Sequence, residues 1–146
     1  MYEFLEYRVE DAMTRRPVVI TRRTPLREIE EIFARNNFNT LPVVDSGGHL
    51  TGVVTKLDVL RAFLFTPQSM VPAYEEIMQK PAERVITWEP ITVAPDEPLT
   101  RVVQKMVHSR CKSFPVVSHG LLVGIIARED VLAALRRAAR GERPAA

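Results

Sequence analysis

The apolar residues of this chain fall into short runs and helical spacings, and the same succession of segments occurs twice. In each half a run of β-branched residues follows a proline, VVIT at 18–21 and ITVA at 91–94, and such a run is typical of a strand. Apolar residues then recur three and four positions apart, which predicts a helix in each half. They are Leu26, Ile29 and Phe33 in the first half and Leu99, Val102, Val103 and Met106 in the second.

Two apolar runs around a glycine-containing turn follow each helix and predict a β-hairpin. The hairpin sequences are LPVVDSGGHLTGVVT at 41–55 and FPVVSHGLLVGIIA at 114–127. A second helix is predicted after each hairpin, with an apolar face of Val59, Leu60 and Phe63 or of Val131, Leu132 and Leu135. Each half is therefore predicted to form a strand, a helix, two strands and a helix, in a mixed α/β (α+β) fold.

The two halves form an internal repeat. Met13 aligns with Ile86 and, after a one-residue deletion in the second hairpin, GVVTKLDVL at 52–60 aligns with GIIAREDVL at 124–132. We therefore divide the chain into a first repeat at 8–65, a connector at 66–81, a second repeat at 82–137 and a basic tail at 138–146. Prolines at 67, 72 and 81 interrupt the connector, which has room for a short helix over 74–79.

Composition and charge exclude several classes of protein. The chain is 46% hydrophobic and 26% charged, which is ordinary for a folded domain, and its net charge of +2 argues against nucleic-acid binding. A single cysteine, Cys111, excludes an internal disulfide. There is no run of 18 apolar residues, so we expect a soluble, cytoplasmic protein without a membrane partner.

Catalysis and metal binding find little support in the sequence. His49, His108 and His119 stand without an acid or nucleophile at a suggestive spacing, and Cys111 lacks the paired spacing of a zinc site. We therefore expect a protein that is not an enzyme and requires no metal or cofactor. We expect Trp88 to pack at an interface between repeats or protomers, in preference to stacking on a base.

The segment TKLD at 55–58 has two interpretations. Thr55 and Asp58 have the spacing of a capping box at a helix N-terminus. In the second repeat Ala127 replaces the hydroxyl, whereas Asp130 keeps the carboxylate. We take this difference to indicate a further use for the acid, because a carboxylate can accept two hydrogen bonds from the vicinal diol of a ribose. Capping and ligand binding both stay open for Asp58 and Asp130.

The segments MTRRPVVI, LPVVD and GVVTKLDVL together resemble a cystathionine-β-synthase (CBS) domain, and the tandem resembles a Bateman module. The resemblance covers nearly the whole chain. It implies two repeats packed by pseudo-twofold symmetry through their sheets, with clefts that accept AMP, ADP, ATP or S-adenosylmethionine. It also implies a homodimer, with which the apolar residues Phe65, Val71 and Trp88 outside the expected core agree.

In that family, one ligand is bound both by the carboxylate of one repeat, which contacts the ribose, and by segments of the other repeat, which hold the base. The resemblance then implies a first cleft formed by Thr55, Asp58, the segment from Ile86 to Ile91, Lys112 and Ser113. A second cleft would be formed by Asp130, the segment from Met13 to Val18, Asn39 and Thr40. Lys112 and Arg84 are candidates to bind a ligand phosphate, and both are also interpreted as solvated surface cations. Because the second cleft has Ala127 and Asn39, we expect the first to bind a phosphorylated ligand more tightly.

The sequence thus predicts a regulatory module that binds an adenine nucleotide without transforming it and transmits occupancy to an unidentified effector protein. A structural dimerisation module with empty clefts, in which the aspartates serve only as caps, is a competing hypothesis. Binding of S-adenosylmethionine and binding of nucleic acid through basic helices also stay open.

Overall fold

A computed structural model of the protein describes residues 1–64 and 73–145. Its contacts divide the chain into two compact units. Val18–Pro90 form one, here called the Asp58 unit, and Met1–Pro17 together with Ile91–Ala146 form the other, here called the Asp130 unit. Among the described residues, no helix is long and apolar enough to cross a membrane.

Within its described residues, 18–64 and 73–90, the Asp58 unit contains a three-stranded antiparallel sheet and three helices. Its strands are β2 (Thr40–Val44), β3 (Leu50–Thr55) and β4 (Thr87–Trp88), in the order β2-β3-β4. Its helices are α2 (Leu26–Arg35), α3 (Lys56–Arg61) and α4 (Tyr74–Met78), and a 3₁₀ turn spans Ala82–Arg84. The predicted short helix of the connector is thus confirmed as α4, whereas Phe65 and Val71 lie outside the described residues. The hydrophobic core is centred on Leu26, Ile29, Leu41, Val43 and Val54.

The Asp130 unit repeats this plan. Its strands are β1 (Thr14–Arg15), β5 (Ser113–Ser118) and β6 (Leu121–Ala127), in the order β1-β6-β5. Its helices are α1 (Val9–Ala12), α5 (Leu99–Ser109) and α6 (Arg128–Ala139), and a 3₁₀ helix spans Tyr2–Glu6. The core contains Tyr7, Leu99, Val102, Phe114 and Ile126, and no more than 1% of the surface of each is exposed. The mixed α+β fold predicted from the sequence is confirmed.

The third strand of each sheet comes from a distant part of the chain. Thr87 of β4 pairs with Val53, and Thr14 of β1 pairs with Ile125. In our division of the sequence, each of these short strands belongs to the repeat whose hairpin lies in the other unit. The compact units therefore cut the chain differently from the sequence repeats, and the division at 8–65 and 82–137 stays a prediction.

A glycine permits each of these pairings. A Cβ atom on Gly52 would lie 2.5 Å from Ile86 Cγ2 and 2.7 Å from the Thr87 carbonyl oxygen. A Cβ atom on Gly124 would lie 2.8 Å from the Thr14 carbonyl oxygen and 2.9 Å from Met13 Sδ. Only a residue without a side chain allows this close approach of two backbones, which explains why both repeats carry the glycine.

The runs VVIT and ITVA, predicted as strands, contribute one bridging residue each. Ile20 forms a parallel bridge to Val43, in which the Ile20 N–H donates to the Pro42 carbonyl and the Val44 N–H donates to the Ile20 carbonyl. Extension of this ladder towards residue 18 needs an N–H at position 42, which proline lacks. Val93 bridges Val116 beside Pro115 in the same way. The proline of each PVV segment therefore limits the first predicted strand.

Candidate functional site

Asp58 lies at the start of α3, where the chain leaves β3, and only 3% of its surface is exposed. Its Oδ2 accepts hydrogen bonds from the Thr55 N–H at 2.8 Å and the Thr55 hydroxyl at 2.9 Å, and the Asp58 N–H donates to Thr55 Oγ1 at 3.2 Å. The predicted capping box is therefore confirmed. Its local cause is the spacing of three residues, which brings the two side chains to the free N–H groups of the first turn.

Two more donors reach the Asp58 carboxylate. The Thr87 hydroxyl, on β4, lies 3.2 Å from both carboxylate oxygens. Arg61 Nη1, one turn further along α3, lies 3.2 Å from Oδ1 in an ion pair. Strand β4 thus supplies a hydrogen-bond donor directly to the carboxylate of Asp58.

A cavity of about 250 Å³ opens beside this carboxylate. It lies within the Asp58 unit and is lined by Asp58, Arg61, Ala62, Arg84, Val85, Ile86 and Thr87. Two exposed guanidinium groups, those of Arg61 and Arg84, therefore line a cavity that has a buried carboxylate in its wall. Guanidinium groups bind phosphate oxygens in a bidentate manner, and a carboxylate accepts hydroxyl protons, so this lining is chemically suited to a phosphorylated sugar.

Asp130 occupies the equivalent position at the start of α6, but its surroundings differ. Its Oδ2 accepts one hydrogen bond, from the Ala127 N–H at 2.8 Å, and the side chain is half-buried. Burial raises the pKa of the Asp130 carboxyl above its ordinary value and the adjacent Glu129 carboxylate adds to this rise, whereas the bond from the Ala127 N–H opposes it. Asp130 still satisfies the backbone N–H of the N-cap residue, so its presence beside Ala127 does not by itself indicate a further use for the acid.

The remaining predicted site residues lie in one unit or the other. The Asp58 unit contains Ile86, which is buried, together with half-buried Asn39, buried Thr40 paired with Thr55, and exposed Val18. The Asp130 unit contains Met13, which packs against the core, together with exposed Ile91 and Lys112 and buried Ser113. The Ser113 hydroxyl has no hydrogen-bond partner within the described part of the chain. The joint contribution of these residues to two clefts stays a prediction.

Sequence reasoning did not single out Arg61 and Thr87. Arg61 follows Asp58 by three residues on the same helix, a spacing at which side chains of opposite charge meet, so a signal for this contact was present. Thr87 lies 29 positions from Asp58 in the sequence. Its contact depends on the pairing of β4 with β3. The family resemblance implied that the segment from Ile86 to Ile91 lies near Asp58, but it did not point to the Thr87 side chain in particular.

The other polar and aromatic candidates lie elsewhere. Within residues 1–64 and 73–145, no group of three or more His, Cys, Asp or Glu side chains is placed to hold a metal ion. Trp88 is 54% exposed and lines a separate cavity of about 510 Å³ in the Asp58 unit, together with Arg22, Arg23 and Asp45.

Comparison with known proteins identifies the relatives of the chain. The family model of the CBS domain matches residues 9–65 and residues 75–137. The L-aspartate semialdehyde sulfurtransferase of Methanocaldococcus jannaschii is 29% identical over 124 residues, which cover 84% of this chain. The chain spans only 22% of the length of that relative.

Two solved structures with adenosine-containing ligands share the fold. The crystal structure of CBSX2 in complex with AMP has a TM-score of 0.79 and 26% identity, and the match covers 92% of this chain and 99% of that chain. The CBS domain pair of protein MJ0100, in complex with 5′-methylthioadenosine and S-adenosyl-L-methionine, has a TM-score of 0.73 and 27% identity. That match covers 89% of this chain and 96% of that chain.

Proposed function

Because the chain belongs to the CBS-domain family, which its family model matches in both halves, we propose that it is a regulatory module that binds an adenine nucleotide at Asp58. The protein binds AMP, ADP or ATP without transforming it. Occupancy is then transmitted to an effector protein through a change in conformation. The predicted homodimer and cytoplasmic location belong to the same proposal.

The observation that carries this proposal is the cavity beside Asp58. A buried carboxylate supplies acceptors for the ribose hydroxyls, and the guanidinium groups of Arg61 and Arg84 supply donors for phosphate oxygens. The AMP complex of CBSX2 supports this choice of ligand, because that structure has the same fold at 26% identity.

A thermal-shift screen tests the proposal with AMP, ADP, ATP, S-adenosylmethionine and NAD. A ligand present at a hundred times its Kd stabilises the folded protein by about 2.7 kcal/mol, which raises the Tm of a chain of this size by about 5 to 10 °C. We expect this rise with at least one of the three adenine nucleotides. Asp58→Asn should abolish most of the rise, whereas Asp96→Asn, the same change at an exposed carboxylate, should leave it intact. No rise with any adenosine compound contradicts the proposal.

One observation favours a structural function instead. The carboxylate of Asp58 already accepts hydrogen bonds from the N–H and the hydroxyl of its N-cap residue, Thr55. Such bonds are expected if Asp58 only stabilises the start of its helix. In that case the protein is a dimerisation module, no ligand changes its Tm, and Asp58→Asn lowers the Tm of the protein without ligand. S-adenosylmethionine alone raising the Tm identifies that compound as the ligand. Binding of RNA that weakens steeply with salt supports a nucleic-acid-binding function.

A further inference from the structure

The carboxylate of Asp58 has little remaining capacity to accept a ribose diol. Its Oδ2 accepts from the Thr55 N–H, the Thr55 hydroxyl and the Thr87 hydroxyl, and its Oδ1 faces the Thr87 hydroxyl and Arg61. Two carboxylate oxygens offer about four acceptor sites. A ligand hydroxyl therefore has to displace one of the donors that the protein itself supplies.

Arg61 is the donor that can leave at least cost. The Thr55 bonds are the shortest, at 2.8 and 2.9 Å, and they satisfy the start of α3. Thr87 is fixed by the pairing of β4 with β3. The Arg61 side chain is instead 61% exposed and lies 3.2 Å from Oδ1, so its guanidinium reaches water by rotation of its own side chain. Arg61 also lines the cavity in which a ligand phosphate would lie.

We propose that Arg61 makes this site selective for phosphorylated nucleosides. Its guanidinium stays paired with the Asp58 carboxylate in the presence of an uncharged nucleoside, and it releases the carboxylate when a ligand phosphate binds the guanidinium. This inference rests on the proposed function. An uncharged nucleoside that displaces Arg61 breaks a charge-assisted hydrogen bond and offers the guanidinium nothing in exchange. A nucleotide supplies a phosphate with which the guanidinium forms a bidentate pair, while one ribose hydroxyl takes its place on Asp58 Oδ1.

In the described part of the Asp130 unit, no arginine is paired with the carboxylate of Asp130. The repeat places Ala133 at the position equivalent to Arg61, and Asp11 at the position equivalent to Arg84. Among the described residues, the Asp130 carboxylate accepts only the bond from the Ala127 N–H. Selection of phosphorylated ligands through a guanidinium on the carboxylate is therefore a property of the Asp58 unit.

Calorimetric titration of adenosine and of AMP tests this role, with Asp130→Asn in every protein so that Asp58 is the only ribose carboxylate. The protein with Arg61 should bind AMP at least about tenfold more tightly than adenosine. Arg61→Ala should weaken AMP by about tenfold, because a charge-assisted bond to the phosphate is lost. It should also strengthen adenosine by about fivefold, because an ion pair no longer competes for the carboxylate.

Arg84→Ala is the matched control, since Arg84 lines the same cavity and is not among the donors to Asp58. Arg84→Ala should weaken the binding of AMP and leave the binding of adenosine unchanged. Arg61→Gln should behave like Arg61→Ala, which separates the loss of charge from the loss of side-chain volume. If Arg61→Ala weakens the binding of AMP while the binding of adenosine is unchanged or also weakened, Arg61 is an ordinary phosphate contact and the inference is overturned. If no protein binds either ligand, the proposed function fails and the inference fails with it.

Discussion

Replacing Gly52 by alanine places a methyl group at the point where β4 lies against β3. The new Cβ would be 2.5 Å from Ile86 Cγ2 and 2.7 Å from the Thr87 carbonyl oxygen. Carbon atoms in contact normally lie about 3.5 to 4.0 Å apart, so β4 has to move. One of the two atoms belongs to the backbone, and Ile86 is buried in the core, so a side-chain rotation alone does not relieve the clash.

The cost has two parts. Overpacking at a buried position destabilises a protein by about 1 to 3 kcal/mol. Movement of β4 also lengthens the contacts of 3.2 Å between the Thr87 hydroxyl and Asp58, and a hydrogen bond to a charged group contributes about 1.5 to 3 kcal/mol. We expect Gly52→Ala to lower the free energy of unfolding by about 2.5 to 6 kcal/mol.

Urea unfolding followed by circular dichroism measures this change. Gly47→Ala is the control, because the nearest atom to its new Cβ, at 3.0 Å, belongs to the exposed side chain of His49, which can move. Gly124→Ala should also destabilise the protein, but by less, since one of its two close contacts is with the flexible side chain of Met13. A free energy of unfolding for Gly52→Ala within about 0.5 kcal/mol of the wild type would refute the pairing of β4 with β3.

Three further predictions concern the caps and the assembly. Thr55→Ala should lower the free energy of unfolding by about 1 kcal/mol, and Ala127→Thr, which adds the missing hydroxyl, should raise it; equal stability of all three proteins contradicts the capping role. Burial raises the pKa of Asp130, so its contribution to stability is present below the ordinary pKa of about 3.9 and is lost as pH rises through the raised value. The stability of wild type relative to Asp130→Asn should therefore fall with pH over this range in urea titrations, and a rise is inconsistent with this sign. Light scattering at micromolar concentration should give the mass of a dimer, and a monomer mass contradicts the proposed assembly.

The sequence predicted those features of the fold that depend on neighbouring residues. The helix of Leu26, Ile29 and Phe33 has an apolar stripe that sequence spacing reveals directly. The reciprocal bonds of Thr55 and Asp58 follow from a spacing of three residues. Hairpin β2–β3 follows from two apolar runs around a glycine turn.

Other features depend on contacts between distant parts of the chain. Strands β1 and β4 have two residues each, which is too short for an alternating pattern to show. The restriction of the first predicted strand to Ile20 depends on the missing N–H of Pro42, which matters only once the two segments are known to be adjacent. The bond from Thr87 to Asp58 likewise requires the register of β4 on β3.

Calorimetric titration of AMP into the wild type and into Asp58→Asn tests the central proposal most directly. Asp58→Asn keeps the volume of the side chain and one acceptor oxygen, so the fold should be retained, which the Tm of each protein without ligand checks. Loss of a charge-assisted hydrogen bond to the ribose should weaken AMP by about 10-fold to 100-fold, and Asp130→Asn should weaken it less. The same Kd for AMP in the wild type and in Asp58→Asn, with only the Tm lowered, would show that Asp58 is a helix cap and contradict its role as the nucleotide site.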